Sequence, residues 1–234
     1  MCETVLSESI IGRARNNGLV DIRCHNIRDY TEDKHRRVDD YPYGGGAGML
    51  MQAQPVYDCF KAVCENPDDC HVIYMSPQGE TLTQEKVREL SSMDRLVILC
   101  GHYEGVDERV LEEIVDEEIS VGDYVLTGGE LPACILTDSV CRMLPGVLSG
   151  EESFSVESHF GHLLEYPQYT RPVVWKDREV PPVLISGDHG KVDRWRLKKA
   201  LERTLERRPD MLKNAELSPE EKELISEIET EKAK

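Results

Sequence analysis

"HVIYMSPQGETLTQEKVRELSSMDRLVILCGHYEG", residues 71–105, has the clearest secondary-structure pattern in the chain. It contains two short apolar runs, at 71–75 and 95–100, and each is followed by turn residues, as expected of buried strands. The segment between them, at about 83–92, has the pattern of a helix. A strand, a helix and a second strand in this order are typical of a parallel sheet. The stretch therefore predicts an α/β fold.

The same alternation extends in both directions along the chain. Downstream, the pattern predicts an acidic helix at 107–115, a third strand at 118–121 and a helix at 131–144. Upstream, it predicts a helix at 7–18 that ends in a glycine cap, a strand at 19–27 and a helix at 54–63 opened by Pro55.

Three consecutive predicted strands end in polar or glycine-rich loops. In open parallel sheets, ligands bind beyond the carboxyl ends of the strands, so these loops are expected to converge on one crevice. They contain neither GxxxxGK[ST] nor a GxGxxG after a strand, which disfavours a phosphate-binding nucleotidase. Backbone groups at close range suit an adenine edge and ribose hydroxyls instead. The loops are "SPQG" (76–79), "CGHYEG" (100–105) and "VGDYVLTGGEL" (121–131).

The composition changes near residue 147. Residues 147–172 are rich in Ser, Glu, Gly and Pro and show no clear period, which predicts a linker. A strong helix is predicted at 192–208, and a second one begins at Ser218, with Glu221 three residues later in the pattern of a capping box. The last third of the chain is therefore predicted to be a small helical domain.

Bulk properties favour a cytoplasmic protein with free thiols. The chain has 234 residues, 39% of them hydrophobic. No apolar run approaches the roughly 20 residues of a membrane span, and the first residues lack the apolar core of a signal peptide. The eight cysteines are scattered, without CxxC or zinc spacing, so neither a metal site nor a disulfide framework is indicated.

A net charge of −17 argues at first against a nucleic-acid partner, because affinity for phosphate comes from clustered Lys and Arg. Two basic segments nevertheless stand out. Residues 13–37 carry seven bases and four acids, and residues 191–213 carry nine bases and four acids. For either segment alone, an ordinary solvated surface is an equally good interpretation.

The stretch "YPYGGGAGMLM", residues 41–51, places four glycines next to two tyrosines and an apolar run. Glycine loses the most backbone entropy on folding, so such a cluster is costly unless the backbone must move or approach something closely. A flexible surface loop and a loop that closes over a ligand both remain possible interpretations.

Together these motifs resemble the bacterial tRNA (guanine-N1)-methyltransferases, the TrmD family of the SPOUT class. The resemblance extends from Ser7 to about Leu217 and rests on long motifs in a fixed order. They are "DKHRRVDDYPYGGGAGMLMQ" (33–52), "SPQG" (76–79), "CGHYEGVDERV" (100–110), "SVGDYVLTGGELPA" (120–133), "PGVL" (145–148), "LLEYPQYTRP" (163–172), "VPPVLISGDH" (180–189), "WRLKKALERT" (195–204) and "RRPDML" (207–212).

For the fold, the resemblance implies a SPOUT-type parallel sheet with a deep trefoil knot, formed at about 74–137, plus a small C-terminal helical domain. Periodicity alone would have given an unknotted sheet. The implied domains are a knotted cofactor-binding domain at 1–148, a linker at 149–172 and a helical tRNA-binding domain at 173–234. The family works as a homodimer with active sites at the subunit interface.

For the activity, the resemblance implies transfer of a methyl group from S-adenosylmethionine to N1 of the guanine immediately 3′ of the anticodon, position 37 of the tRNA. This modification supports reading-frame maintenance. Mg²⁺ dependence is a family expectation, although no metal ligand set is evident. The implied cofactor-binding residues are Ser76, Pro77, Gly79, Gly101, Tyr103, Glu104, Gly105, Val121, Gly122, Tyr124, Leu126, Gly128, Gly129 and Glu165.

The catalytic positions implied by the resemblance are Glu157 and Arg142. The family has an aspartate as base where this chain has Glu157, and a gapped alignment would select Glu152 instead. Arg142 matches an arginine that binds the target guanine. The residues expected to contact RNA are basic, and they are Lys34, His35, Arg36, Arg37, Arg194, Lys198 and Arg207.

Two departures keep alternatives open. Besides the glutamate at the base position, the chain lacks the apolar strand and the "FPEMF"-like turn with which the family usually opens. Either a strand is missing or the start is internal. The alternatives are a catalytically impaired homologue that binds tRNA and cofactor without transfer, and a nucleotide-binding metabolic enzyme that shares only the sheet.

Overall fold

The computed structural model describes residues 1–148, 150 and 157–232, with the side chain of Asp68 excepted. The chain divides into two compact units, Met1–Gly150 and Glu151–Lys234.

The first unit contains six α-helices and five strands among its described residues. The helices are α1 (Cys2–Leu6), α2 (Ser9–Asn16), α3 (Ala53–Val63), α4 (Gln84–Ser91), α5 (Glu108–Ile114) and α6 (Glu130–Cys141). The strands are β1 (Asp39–Asp40), β2 (Leu50–Met51), β3 (His71–Thr81), β4 (Leu96–Cys100) and β5 (Glu117–Ser120).

A parallel sheet with the order β4-β3-β5 forms the centre of this unit. Since β4 and β5 follow one another in the chain but flank β3 on opposite sides, the strand order reverses at β3. Such a reversal opens a crevice at the carboxyl ends of the strands. The predicted α/β fold with a parallel sheet is confirmed.

Alternate residues of β3 serve two separate cores, as the period of two in a strand requires. Val72 and Tyr74 are buried with apolar residues of α3 and α5 on one face. Ile73 and Met75 are buried with those of α4 and α6 on the other. The helices therefore cover both faces of the sheet, which explains why the strands read as continuous apolar runs.

The turn predicted at "SPQG" is wrong. These four residues lie inside β3, where the register with β5 shifts between Met75 and Glu80. Beyond this irregularity, Glu80 pairs with Ile119 and Thr81 with Ser120. The turn-forming residues are accommodated as a bulge because the strand finds its partner again after them.

The strand predicted at 19–27 is also wrong. Residues 20–26 carry no regular secondary structure, and a short 3-10 helix follows at Ile27–Asp29. Val20 and Ile22 pack instead against the core that α1 and α2 share with α6. Their apolar character therefore reflects side-chain burial and not a ladder of backbone hydrogen bonds.

The cysteine prediction needs one correction. Cys64 and Cys70 form a disulfide, with their Cα atoms 6.5 Å apart. Cys64 follows the end of α3, and the 3-10 turn at Pro67–Asp69 brings Cys70 back to it in the same buried core. A separation of six residues resembles none of the usual pairing motifs, so no sequence pattern indicated this disulfide.

The second unit is built on α7 (His189–Arg207) and α8 (Pro219–Lys232), with a short hairpin of β6 (Val174–Trp175) and β7 (Arg178–Glu179). Leu201, Leu224 and Ile228 form its buried core. No helix among the residues that the structure describes has the length and apolar character to cross a membrane.

The capping box predicted at Ser218 is confirmed. The Ser218 amide donates to Oε2 of Glu221 over 2.7 Å, and the Glu221 amide donates to Oγ of Ser218 over 3.2 Å. Burial raises the pKa of the Glu221 carboxyl, but hydrogen bonds from Ser218 and His162 outweigh it and hold that pKa below its usual range. The start of α8 is thus anchored by an ionised carboxylate.

Candidate functional site

The two loops that follow β4 and β5 lie together, as their positions predict, and the third predicted loop, "SPQG", packs against β5 as the bulge of β3. The Gly129 amide donates to the carbonyl of Gly101 over 2.8 Å, which joins the loop after β5 to the loop after β4. A β-carbon added to Gly79 would lie 2.4 Å from the carbonyl carbon of Glu118, so the bulge of β3 touches the backbone of β5. The glycines permit these close approaches of backbone to backbone.

Apolar and aromatic side chains are exposed around these glycines. Tyr103 is 49% exposed, Tyr124 55% and Leu126 38%. Ser76, in the bulge, is buried, and its Oγ accepts a hydrogen bond from the Gln78 amide over 3.2 Å. The loops thus offer apolar surface next to backbone polar groups, which is the usual make-up of a small-molecule site.

Tyr103 belongs to a polar network that the sequence did not reveal. Nη2 of Arg28 donates to its hydroxyl over 2.9 Å, and the hydroxyl lies 3.2 Å from Oδ1 of Asp39. Arg28 and Asp39 are 75 and 64 residues away from Tyr103 in the chain. A network between such distant residues leaves no local pattern in the sequence.

His102 and Glu130 form a second contact that sequence reasoning missed. Nε2 of His102 lies 3.1 Å from Oε1 of Glu130, the first residue of α6. A β-carbon on Gly128 would meet both side chains, at 3.0 Å from the histidine and 2.6 Å from the glutamate. The glycine therefore makes room for this pair at the mouth of the loops.

The glycine-rich stretch 41–51 starts in solvent and ends on the loop after β4. Tyr43 is 99% exposed, whereas Met51 is buried. The Glu104 amide donates to Met49, and the Met51 amide donates to Gly105. Closure of this segment over a ligand stays a prediction, but one of its ends is attached to the predicted site.

Two arginines of the basic segment 34–37 form ion pairs with aspartates. Arg37 contacts Asp33 at 2.9 Å, and Arg36 contacts Asp29 at 2.7 Å. Hydrogen bonds from Arg37 and His35 hold the pKa of the Asp33 carboxyl well below its usual range. Lys34 is exposed. Their role in RNA binding stays a prediction.

In the second unit, a cavity of about 340 Å³ is lined by Glu157 and Glu165, with Tyr166 and Arg196 also on its wall. The two glutamates stand at the ends of a loop, residues 157–165, that is closed on itself. The Glu165 amide donates to Oγ of Ser158 over 2.9 Å, and the Phe160 amide donates to the carbonyl of Glu157 over 3.3 Å. The structure thus brings two of the predicted site residues to one cavity.

Two of the residues on α7 that are predicted to contact RNA form ion pairs with glutamates of α8. Arg194 lies 2.6 Å from Glu227 and 3.1 Å from Glu223. Lys198 lies 3.2 Å from Glu227 and 2.8 Å from Glu231. The basic charge of α7 is therefore partly neutralised by the acidic helix packed against it. Arg207, in the last turn of α7, is exposed.

Arg142 is the first residue after α6 and is half-buried. It belongs to the first unit and Glu157 to the second. Glu152, the other candidate base, lies outside the described residues. Within residues 1–148, 150 and 157–232, no group of three or more His, Cys, Asp or Glu side chains is placed to hold a metal ion.

Comparison with known proteins gives a consistent result. A family model described as "tRNA (Guanine-1)-methyltransferase TrmD" matches residues 1–214. The chain belongs to this methyltransferase family.

Curated relatives support this membership over nearly the full length. Proteins named "tRNA (guanine-N(1)-)-methyltransferase" share 60% identity in Ruminiclostridium cellulolyticum, over 89% of this chain and 90% of the relative. The identity is 51% in Alkaliphilus metalliredigens, over 96% and 92%. It is 49% in Halalkalibacterium halodurans, over 100% and 96%. The resemblance inferred from the motifs is confirmed, and nothing in the comparisons supports a catalytically impaired member of the family.

Proposed function

We propose that this protein is an S-adenosylmethionine-dependent tRNA methyltransferase that modifies N1 of the guanine immediately 3′ of the anticodon. The family match over residues 1–214 carries this proposal. Crowded glycine loops at the carboxyl ends of the sheet and a second unit with two acids at one cavity support it. For a tRNA substrate, we expect the reaction to take place in the cytoplasm.

The loop residues fit an adenosyl group. Tyr103, Tyr124 and Leu126 expose apolar surface that suits the faces of a purine, and the backbone of Gly101 to Gly105 suits its polar edge. Glu165 would bind the cationic amino group of the methionine part, as a carboxylate does. When bound, S-adenosylmethionine supplies the methyl group as an activated sulfonium.

The side chains of this protein have two tasks in the proposed reaction. They remove the proton from guanine N1 and stabilise the negative charge that develops on the base. Guanine N1 carries a proton, and its lone pair belongs to the ring amide, so nucleophilic attack requires that this proton be removed. Glu157 accepts it as general base. Negative charge then develops on O6, where the cationic fork of Arg142 stabilises it. Mg²⁺ enters this proposal only as a family expectation.

The knot and the homodimer belong to the same proposal. After β5 the chain crosses to the opposite edge of the sheet. Just before α6 begins, the Gly129 amide donates a hydrogen bond to the carbonyl of Gly101, which follows β4. Such a crossing is what the proposed knot requires. For the dimer, α6 exposes Leu131 and Ile135, one turn apart, at 45% and 46%. This apolar stripe suits a subunit interface.

Ion pairs on α7 give a prediction about RNA binding. Glu227→Gln removes a carboxylate that contacts both Arg194 and Lys198. Each cation then has one anionic partner fewer and attracts phosphate more strongly, so we expect the Kd for tRNA to fall about threefold at low salt and the gain to disappear at high salt. Filter binding across a salt series measures it.

Glu229→Gln is the matched control for this change, since Glu229 is an exposed residue of the same helix. It alters the net charge by the same amount without touching the two pairs. Equal effects of both variants would mean that net charge alone, and not the loss of the contacts of Glu227 with the two cations, governs affinity.

The proposed function predicts strict dependence on one base. Labelled methyl transfer from S-adenosylmethionine is measured to a tRNA transcript with guanine 3′ of the anticodon and to one with adenine there. We expect transfer to the guanine transcript alone, because adenine has no N1 proton to donate to the carboxylate and carries an amino group in place of the O6 that the arginine contacts. Equal labelling of both transcripts, or of neither, would reject the proposal.

A further inference from the structure

The loop 157–165 is held onto α7 by a buried hydroxyl. Thr204 has no exposed surface, and its Oγ1 accepts a hydrogen bond from the Leu164 amide over 2.8 Å. The same hydroxyl donates to the carbonyl of Ala200 over 2.7 Å. Because the donation to Ala200 fixes the rotation of the hydroxyl, its lone pair has a defined direction toward the loop.

Three further contacts lie next to this hydrogen bond. Nη1 of Arg203 donates to the carbonyl of Glu165 over 2.7 Å. Nε2 of His162 lies 2.8 Å from Oε1 of Glu221, the buried acid of the capping box. Leu163 packs against the core of the unit. Four consecutive residues of the loop, 162–165, are thus each fixed to α7 or α8.

We infer that Thr204 is a positioning residue for methyl transfer: its hydroxyl holds the Leu164 amide and thereby the loop that carries Glu157 and Glu165. The inference rests on the proposed function for its catalytic part only. Thr204 touches neither glutamate and acts through the backbone. It matters because a displacement of about 1 Å at a reacting group costs roughly 10²-fold in rate.

Thr204→Val tests this inference, because valine keeps the shape of threonine and removes the acceptor. The Leu164 amide then lacks its partner, so we expect amide exchange in 157–165 to accelerate about tenfold. We also expect kcat to fall about tenfold or more while KM for tRNA stays within about twofold. Thr204→Ser keeps the hydroxyl and is expected to restore both quantities.

Amide exchange is followed by mass spectrometry on the full chain. The kcat is measured by methyl transfer to the guanine transcript. Unchanged loop exchange in Thr204→Val, or equal losses of kcat in the valine and serine variants, would overturn the inference. If Thr204→Val does not fold, Thr204→Ala, which also removes the acceptor, is compared with Thr204→Ser in the same way. A parent without methyl transfer would reject the proposed function, whereas the exchange comparison still decides whether Thr204 holds the loop.

Discussion

Glu157→Gln is expected to lower kcat for methyl transfer by about 10²- to 10⁴-fold, the usual contribution of a general base. Glutamine has the size of glutamate but cannot accept the guanine N1 proton. Binding of the cofactor and of tRNA does not require that proton transfer, so KM for both is expected to stay within about threefold. Steady-state kinetics with the guanine transcript measure this difference.

Glu152→Gln and Glu229→Gln complete the experiment. Glu152 is the alternative base, and its substitution is expected to leave kcat within about twofold if Glu157 accepts the proton. Glu229, exposed on α8, controls for the loss of one negative charge. A Glu157→Gln enzyme that keeps more than a tenth of the parent's kcat, together with an inactive Glu152→Gln enzyme, would move the base to Glu152.

Gly79→Ala is expected to weaken cofactor binding and to destabilise the first unit. A β-carbon at this position would lie 2.4 Å from the carbonyl carbon of Glu118 and 2.6 Å from the Ile119 amide nitrogen. Both atoms belong to the backbone of β5 and cannot rotate away. We expect the free energy of unfolding to fall by about 1–3 kcal/mol and the Kd for S-adenosylmethionine to rise at least about tenfold.

Urea unfolding and calorimetric titration measure these two effects. Gly190→Ala is the matched control, because the added β-carbon would meet only a side-chain oxygen of Asp188 at 3.7 Å, an ordinary contact. It lies within α7, where alanine is favoured over glycine by up to about 1 kcal/mol, so this variant is expected to be at least as stable as the parent. Normal cofactor affinity in Gly79→Ala would refute the role of the bulge.

The sequence predicted most elements of the sheet because their signals are local. The apolar runs at 71–75 and 95–100 lie on β3 and β4, and the capping box of Ser218 forms as its spacing predicts. The prediction of a strand at 19–27 failed, because the apolar residues there pack into a core without a partner strand. An apolar pattern specifies that side chains are buried, whereas a β-strand also needs a neighbouring strand with which to form hydrogen bonds.

The candidate site divides in the same way. The glycine-rich loops and the acids of the linker could be identified from residue types in a fixed order, since motifs of that kind are contiguous. The disulfide of Cys64 and Cys70, the bulge at Gly79 and the contact of Thr204 with Leu164 were not foreseen. Each of them depends on where two segments meet in space.

Periodicity and contiguous motifs were enough to predict the parallel α/β architecture and the methyltransferase family. Packing, by contrast, determines that β3 continues through "SPQG", that Arg194 and Lys198 share Glu227 of α8, and that the Thr204 hydroxyl on α7 holds the loop 157–165. Hydrogen bonds and ion pairs between distant residues are set by packing, and packing leaves no local pattern in the chain.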